Sequence, residues 1–207
     1  MSASNNPRVR HPLATPTSGH RRRASPPARP ALVARNSSGF AFDRTVGEET
    51  WLTPRWLVDA LDLPHNADVD PCAPPVRLWK TARRHFNKAQ DGFNRTWRTS
   101  DFYWVNPPYG RECAAWMEKL ANHGNGLLLI FARTDTVAFH DLVFGHANTS
   151  AVFFFKGRLK FANKDGEQVG TAGAPSALIA YGEKAMRILD KAIHSGSLEG
   201  HLLVLNR

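Results

Sequence analysis

The sequence predicts an α/β domain on an open, mostly parallel sheet with antiparallel strands late in the chain. Three observations carry this. The 207 residues suit one such domain with a tail and are enough to bury a proper core. Apolar or β-branched runs at 101–105 and 127–131 alternate with amphipathic stretches beginning near Pro54, Cys113 and Val137, the pattern of parallel strand–helix units. Further strand-like runs at 151–155, 159–161 and 176–181 then come close together and supply the late antiparallel part. No run approaches 18 consecutive apolar residues, which excludes a transmembrane helix.

Residues 1–40 stand apart. They hold seven arginines, six prolines and six serines, with no lysine and no acidic residue. The formal net charge of +9 therefore belongs mainly to this segment, because 41–207 carries 20 basic against 18 acidic residues. With no apolar periodicity, such a composition cannot offset the entropy of ordering it, and the segment reads as a disordered tail. Arg21-Arg22-Arg23 is either a mobile arm for phosphates or a merely solvated run. The ordered domain begins near Phe40.

Thr53 can cap a first helix, with Pro54 at the first helical position where no amide donor is needed. Trp56, Leu57, Ala60 and Leu61 recur at helical spacing, and Pro64 ends the run. Ala67–Pro71 reads as a short strand with an acidic end. Between 76 and 98, seven basic residues face the single acid Asp91, with four aromatics interleaved; this is either a DNA-contacting stretch or a solvated face over ordinary core aromatics. Asp101–Val105 is a buried strand, and Cys113, Trp116, Met117 and Leu120 form one helical stripe stopped at 122–126. Leu127–Phe131 is a strand buried on both faces. A helix around Val137–Gly145 comes next. Ala151–Phe155, Leu159–Phe161 and Ser176–Tyr181 read as strands, Glu183–His194 as the last helix, and Leu202–Leu205 as an edge strand.

Asn106-Pro107-Pro108-Tyr109 leaves the carboxyl end of a strand, where ligands bind in open α/β sheets. The residue types suit chemistry on a delocalised amine such as the exocyclic nitrogen of adenine. Two acceptors against its hydrogens draw the nitrogen toward tetrahedral geometry. Asn106 offers a side-chain carbonyl, a rigid proline turn aims the Pro107 main-chain carbonyl, and Tyr109 offers a face on which an extruded base stacks. The plain alternative is a strand-ending turn with a packed tyrosine. For Asp70 the plain alternative is a turn cap. Cys72 and Cys113 are too few for a disulfide framework or a thiolate zinc site, and read as reduced intracellular thiols. The histidines show no metal-ligand spacing, so no metal is expected.

Together these residues resemble the phage-type DNA N-6-adenine methyltransferases of the Dam group. The likeness runs from about Thr50 to Tyr181. Its elements, in order, are Trp51-Leu52-Thr53-Pro54, Asp68-Val69-Asp70-Pro71-Cys72-Ala73, Asp91-Gly92 with Trp97, Asn106-Pro107-Pro108-Tyr109-Gly110, Trp116, Arg133-Thr134-Asp135-Thr136 with Phe139-His140-Asp141, and Gly157-Arg158-Leu159-Lys160-Phe161.

The resemblance implies a Rossmann-like methyltransferase sheet, S-adenosylmethionine as methyl donor, and adenine in double-stranded DNA as acceptor at a specific site. It implies a cytoplasmic enzyme of a bacterial host or prophage, associated with restriction–modification. Asn106, Pro107, Pro108 and Tyr109 would be catalytic. Asp70, Pro71 and Cys72 would line the methionine end of the cofactor site, with Thr53 and Pro54 closing over it. Arg158 and Lys160 would meet the DNA backbone, unless their segment is a plain hairpin. The sequence departs from the wider class in having Ala73-Pro74-Pro75 where a glycine-rich turn is usual, and Asp91 is the one acid available for the cofactor ribose. The same Asn-Pro-Pro-Tyr also suits RNA adenine or a protein glutamine, and an inactive DNA-binding derivative is a further alternative.

Overall fold

The computed structural model describes residues 51–168 and 170–205; the basic tail and the domain boundary near Phe40 lie outside them. In chain order the elements are α1 (Arg55–Ala60), α2 (Leu63–Asn66), β1 (Val69–Asp70), β2 (Arg84–His85), β3 (Tyr103–Val105), α3 (Cys113–His123), β4 (Gly126–Phe131), α4 (Val137–Phe139), β5 (Thr149–Phe155), β6 (Ser176–Tyr181), α5 (Glu183–His194) and β7 (Gly200–Val204). The strands form one sheet in the order β2-β1-β3-β4-β6-β5-β7. The β2–β1, β1–β3 and β3–β4 pairs are parallel, whereas β6 is antiparallel to β4 and β5, and β7 to β5. β5 therefore points the same way as β1 to β4, and all five carboxyl ends share one edge of the sheet.

The sheet is covered on both faces, which explains its uninterrupted apolar strands. Alternation sends Phe102, Trp104, Leu127, Leu129, Phe153 and Leu178 toward α1 and α5. It sends Tyr103, Val105, Leu128, Ile130, Val152 and Ile179 toward α3 and the segment around Phe139 and Val143. Every residue of β4 and β6 is buried.

Several local expectations change. Pro54, not Thr53, is the N-cap of α1, and no side chain caps it. The Pro54 carbonyl receives the Leu57 and Val58 amides, while the Thr53 hydroxyl is engaged elsewhere. Pro64 does not end the first helix. That helix stops before Asp62, which has φ 47°, and Pro64 sits in the first turn of α2, where a missing N–H costs nothing. The segment 159–161 is not a strand. Leu159 and Phe161 are buried, but pairing is confined to isolated bridges of Ala162 with Leu52 and Gln168. The expected helix near 137–145 is one short turn continued as a π-helical turn over His140–Phe144. The 76–98 stretch supplies β2 and a tight turn at Lys88–Gln90, closed by reciprocal bonds between Asn87 and Gln90.

Candidate active site

After β1 the chain places β2 on one side and then crosses to place β3 on the other. The crevice at the carboxyl ends of β1 and β3 is thus where the strand order reverses, and such a crevice is where open α/β sheets take ligands. Asp70 is the last residue of β1, and Asn106 follows the last residue of β3 at once. A third segment, Leu52-Thr53, is fixed beside them by paired backbone bonds between Leu52 and Ala162 at 2.8 and 3.1 Å.

The Asn106 amide nitrogen donates to the Thr53 hydroxyl at 3.2 Å. Thr53 is itself buried, and its carbonyl accepts the Trp79 indole N–H at 3.0 Å. The side-chain plane of Asn106 is therefore oriented from two distant parts of the chain. Its Oδ1 is buried and has no hydrogen-bond partner among the described residues. An unmet buried acceptor costs free energy unless a ligand supplies the donor.

Asp70 is buried at 3 % exposure. Its Oδ1 accepts the Cys72 amide at 3.2 Å and its Oδ2 accepts the Thr81 hydroxyl. Burial pushes its carboxyl up to about 6, against the lowering influence of Thr81, the Cys72 amide and the charge of Arg77. Cys72 lies between the two strand ends. Burial and the Asp70 charge push its thiol well up, while the Asn106 backbone N–H acts in the opposite sense. Burial also raises Cys113 to about 11, with Arg133 opposing, and raises the Tyr109 phenol further. Both thiols and the phenol thus stay protonated at neutral pH, and Asp70 is the group here that titrates nearest neutrality.

The structure joins Thr53 to Asn106, Asp70 to Cys72, and Cys72 to the Asn106 backbone. Pro107 is buried and Pro108 exposed. One face of the Tyr109 ring lies on Phe131, with centroids 4.1 Å apart and planes 13° from parallel. Phe161 meets Tyr109 edge-on at 6.2 Å and so ties the 157–161 segment to the same place. Arg158 and Lys160 are exposed past the end of β5, and Arg158 donates to the Ala172 carbonyl at 3.2 Å. Asp91, the one acid available for the cofactor ribose, is engaged locally. Asp91 sits past the turn that follows β2, and its carboxylate takes two bonds from Asn94, which hold its pKa down. Among the described residues no group of three His, Cys, Asp or Glu is placed to hold a metal, and no helix is long and apolar enough to cross a membrane.

A family model described as DNA N-6-adenine-methyltransferase (Dam) matches residues 44–193. The chain belongs to this family. No curated protein and no solved structure matches it. Membership implies DNA adenine methyltransferase activity, and the match takes in every element from α1 to β6 and most of α5.

Within this Dam-family chain, sequence reasoning overlooked Thr81, Trp79 and Phe131. The first two lay in a stretch read for its charge and aromatics as a whole rather than for single roles, and their partners Asp70 and Thr53 are 11 and 26 residues away. Phe131 passed as core because it ends an apolar run. The Asp91-Gly92 pair now has a physical reason. A Cβ on Gly92 would fall 2.0 Å from the Pro71 carbonyl oxygen, and Gly92 also accepts the Trp97 indole N–H at 3.0 Å.

Proposed function

We propose that this chain transfers a methyl group from S-adenosylmethionine to the N6 amino group of adenine at a defined sequence in double-stranded DNA. The observation that carries the reading is the buried, unmet Asn106 Oδ1 at a strand end, its orientation held by Thr53. An adenine amino group offers two hydrogens. One would meet Asn106 Oδ1 and the other the Pro107 carbonyl. Accepting both localises the nitrogen lone pair, and it does so with preorganised groups that need not rearrange. Tyr109, backed by Phe131, would steady the extruded base.

The sheet order supports a Rossmann-like reading with the cofactor beside β1 and the base beside β3. When bound, S-adenosylmethionine supplies a methyl group on a cationic sulfonium. Asp70 fits such a ligand, because it is a buried carboxylate held by two neutral donors and paired with no cation among the described residues. Thr53 and Pro54 would close over that site, with Pro71 and Cys72 lining it. The protonated thiols of Cys72 and Cys113 argue against a covalent enzyme intermediate, which would need a thiolate. Direct transfer to nitrogen then needs only positioning and polarisation. Arg158 and Lys160 would contact phosphates.

Co-expression with a plasmid, followed by modification-sensitive sequencing, tests this. N6-methyladenine at one recurring sequence is expected, and it should vanish with Asn106→Ala. An unmodified plasmid, with labelled methyl appearing on RNA or a glutamine peptide in an acceptor panel, would overturn the acceptor assignment.

A further inference from the structure

A groove of about 310 Å³ opens on the carboxyl edge of the sheet beyond the catalytic motif. Its walls include Trp56 of α1, Phe155 at the end of β5, Lys156 and Arg158 just after it, and Ser197 and Glu199 ahead of β7. β5 lies three strands from β3, on the side away from β1. At about 4.8 Å per strand the groove is roughly 14 Å from the catalytic strand end, so it is separate from the crevice at Asp70.

Its lining combines one exposed aromatic ring with two cations and one acid. Trp56 is 42 % exposed, an unusual state for so large an apolar side chain. It is held edge-on against Phe155, with centroids 6.3 Å apart and planes at 88°, so Phe155 fixes the ring without covering it by stacking. Glu199 is engaged by Lys156 at 3.4 Å, and the two cations against one acid leave the groove positive. The Ala172 carbonyl takes one of the five donors of Arg158, and the guanidinium can meet a phosphate with others. The groove is tied to the Asn106–Tyr109 segment through the chain rather than by a shared cavity. Trp56 follows Thr53 by three residues, and the segment from Arg158 leads to Phe161, which touches Tyr109.

We propose that Trp56 is the stacking platform of a second nucleotide subsite, which takes an unstacked base of the substrate strand a few positions from the target adenine. Its phosphate lies on Arg158 and Lys156. The inference rests on the DNA methyltransferase reading for its biological meaning, but binding tests it without turnover. Fluorescence anisotropy with a labelled twelve-residue thymidine single strand serves as the probe. Base–aromatic stacking sets the scale, and Trp56→Ala is expected to weaken binding roughly 5- to 150-fold. Trp56→Phe should keep most of the affinity, because its ring keeps a π face. Circular dichroism confirms that each variant is folded. In DNA methylation assays, Trp56→Ala should raise KM with kcat close to the parent. Equal affinity of parent and Trp56→Ala for the thymidine strand, or no binding by the parent, would overturn the subsite. An equal loss in Trp56→Phe and Trp56→Ala would also overturn it, since stacking would not then be the interaction lost. A protein that binds this strand through Trp56 yet methylates no DNA would keep the subsite and remove the methyltransferase reading.

Discussion

The hydroxyl of Thr53 receives the side-chain amide of Asn106 at 3.2 Å across 53 residues of sequence, and it leaves the other end of that amide buried and unmet. Thr53 thereby gives up the helix cap that its place before Pro54 would allow. The sequence reading assigned the two residues to different tasks, cofactor closure and catalysis. The bond makes Thr53 a positioning residue for Asn106. Thr53→Val keeps the shape and removes the acceptor. A hydrogen bond of ordinary net worth then sets the loss in kcat at about 5- to 10-fold. Thr53→Ser should stay near the parent, and Asn106→Ala should lose about 100- to 1,000-fold. Steady-state kinetics on unmodified plasmid DNA check all three. A Thr53→Val enzyme with unchanged kcat would remove the positioning role.

Asp70 makes a prediction in which stability and function move in opposite directions. Its carboxyl is raised from 3.8 to about 6 by burial, so the folded state prefers it protonated. A raised folded pKa contributes stability that is fully present below about 3.8 and is lost as pH rises through about 6. At pH 7.5 the charge therefore destabilises the ligand-free protein, by about 3 kcal/mol from the size of the shift. Asp70→Asn keeps the acceptor for the Cys72 amide and removes the charge. Urea unfolding should show the variant more stable than the parent at pH 7.5, with the difference closing below pH 4. Calorimetry should show its affinity for S-adenosylmethionine sharply reduced. In the parent, that affinity should rise from pH 5 to 7.5 and then level off. A variant less stable at pH 7.5 would show that the carboxylate is satisfied as it stands.

Legibility followed locality. β4, β6 and α5 were readable because a run of buried side chains or a helical stripe is written in adjacent residues, and the structure places all six residues of β6 and all twelve of α5 where the pattern put them. Segment 159–161 misled because its burial comes from packing against Tyr109 and the core rather than from a ladder. β2, only two residues long and largely solvated, has no apolar run to betray it. At the site the pattern is the same. Asp70 and Asn106 could be named because each lies at a strand end, whereas Thr81, Trp79 and Phe131 act through partners that only the fold brings near.

The basic tail is open to a test that needs no structure of it. Deleting 1–40 removes seven arginines and nothing matched by the family model, which begins at 44. If about three of them neutralise phosphates, the slope of log affinity against log salt should become shallower by roughly 2.7 units. Turnover at saturating DNA should stay near the parent, because long-range attraction speeds encounter rather than chemistry. Binding titrations at several salt concentrations decide, and superimposable slopes would show the tail to be passive.

Gly92 links a surface turn to the chain just after β1. The residue lies over the Pro71 backbone so closely that an added Cβ would meet the carbonyl oxygen at 2.0 Å and the carbonyl carbon at 2.8 Å. Backbone atoms cannot swing aside as a flexible side chain can. In Gly92→Ala, therefore, either the turn lifts or the Pro71-Cys72 segment is pushed down. Overpacking of this kind typically costs about 1–3 kcal/mol. Pro71 follows Asp70, and the Asp70 carboxylate holds the Cys72 amide, so the displacement reaches that carboxylate directly. Gly92→Ala should lower the melting temperature and weaken S-adenosylmethionine binding, while DNA affinity through the 156–160 segment stays near the parent. Arg95→Ala provides a control on the same surface, since its guanidinium donates to the Gln90 carbonyl and lies over the Phe86 ring. Cofactor affinity measured by calorimetry should separate the two variants. Equal affinities would mean that the glycine serves the turn alone.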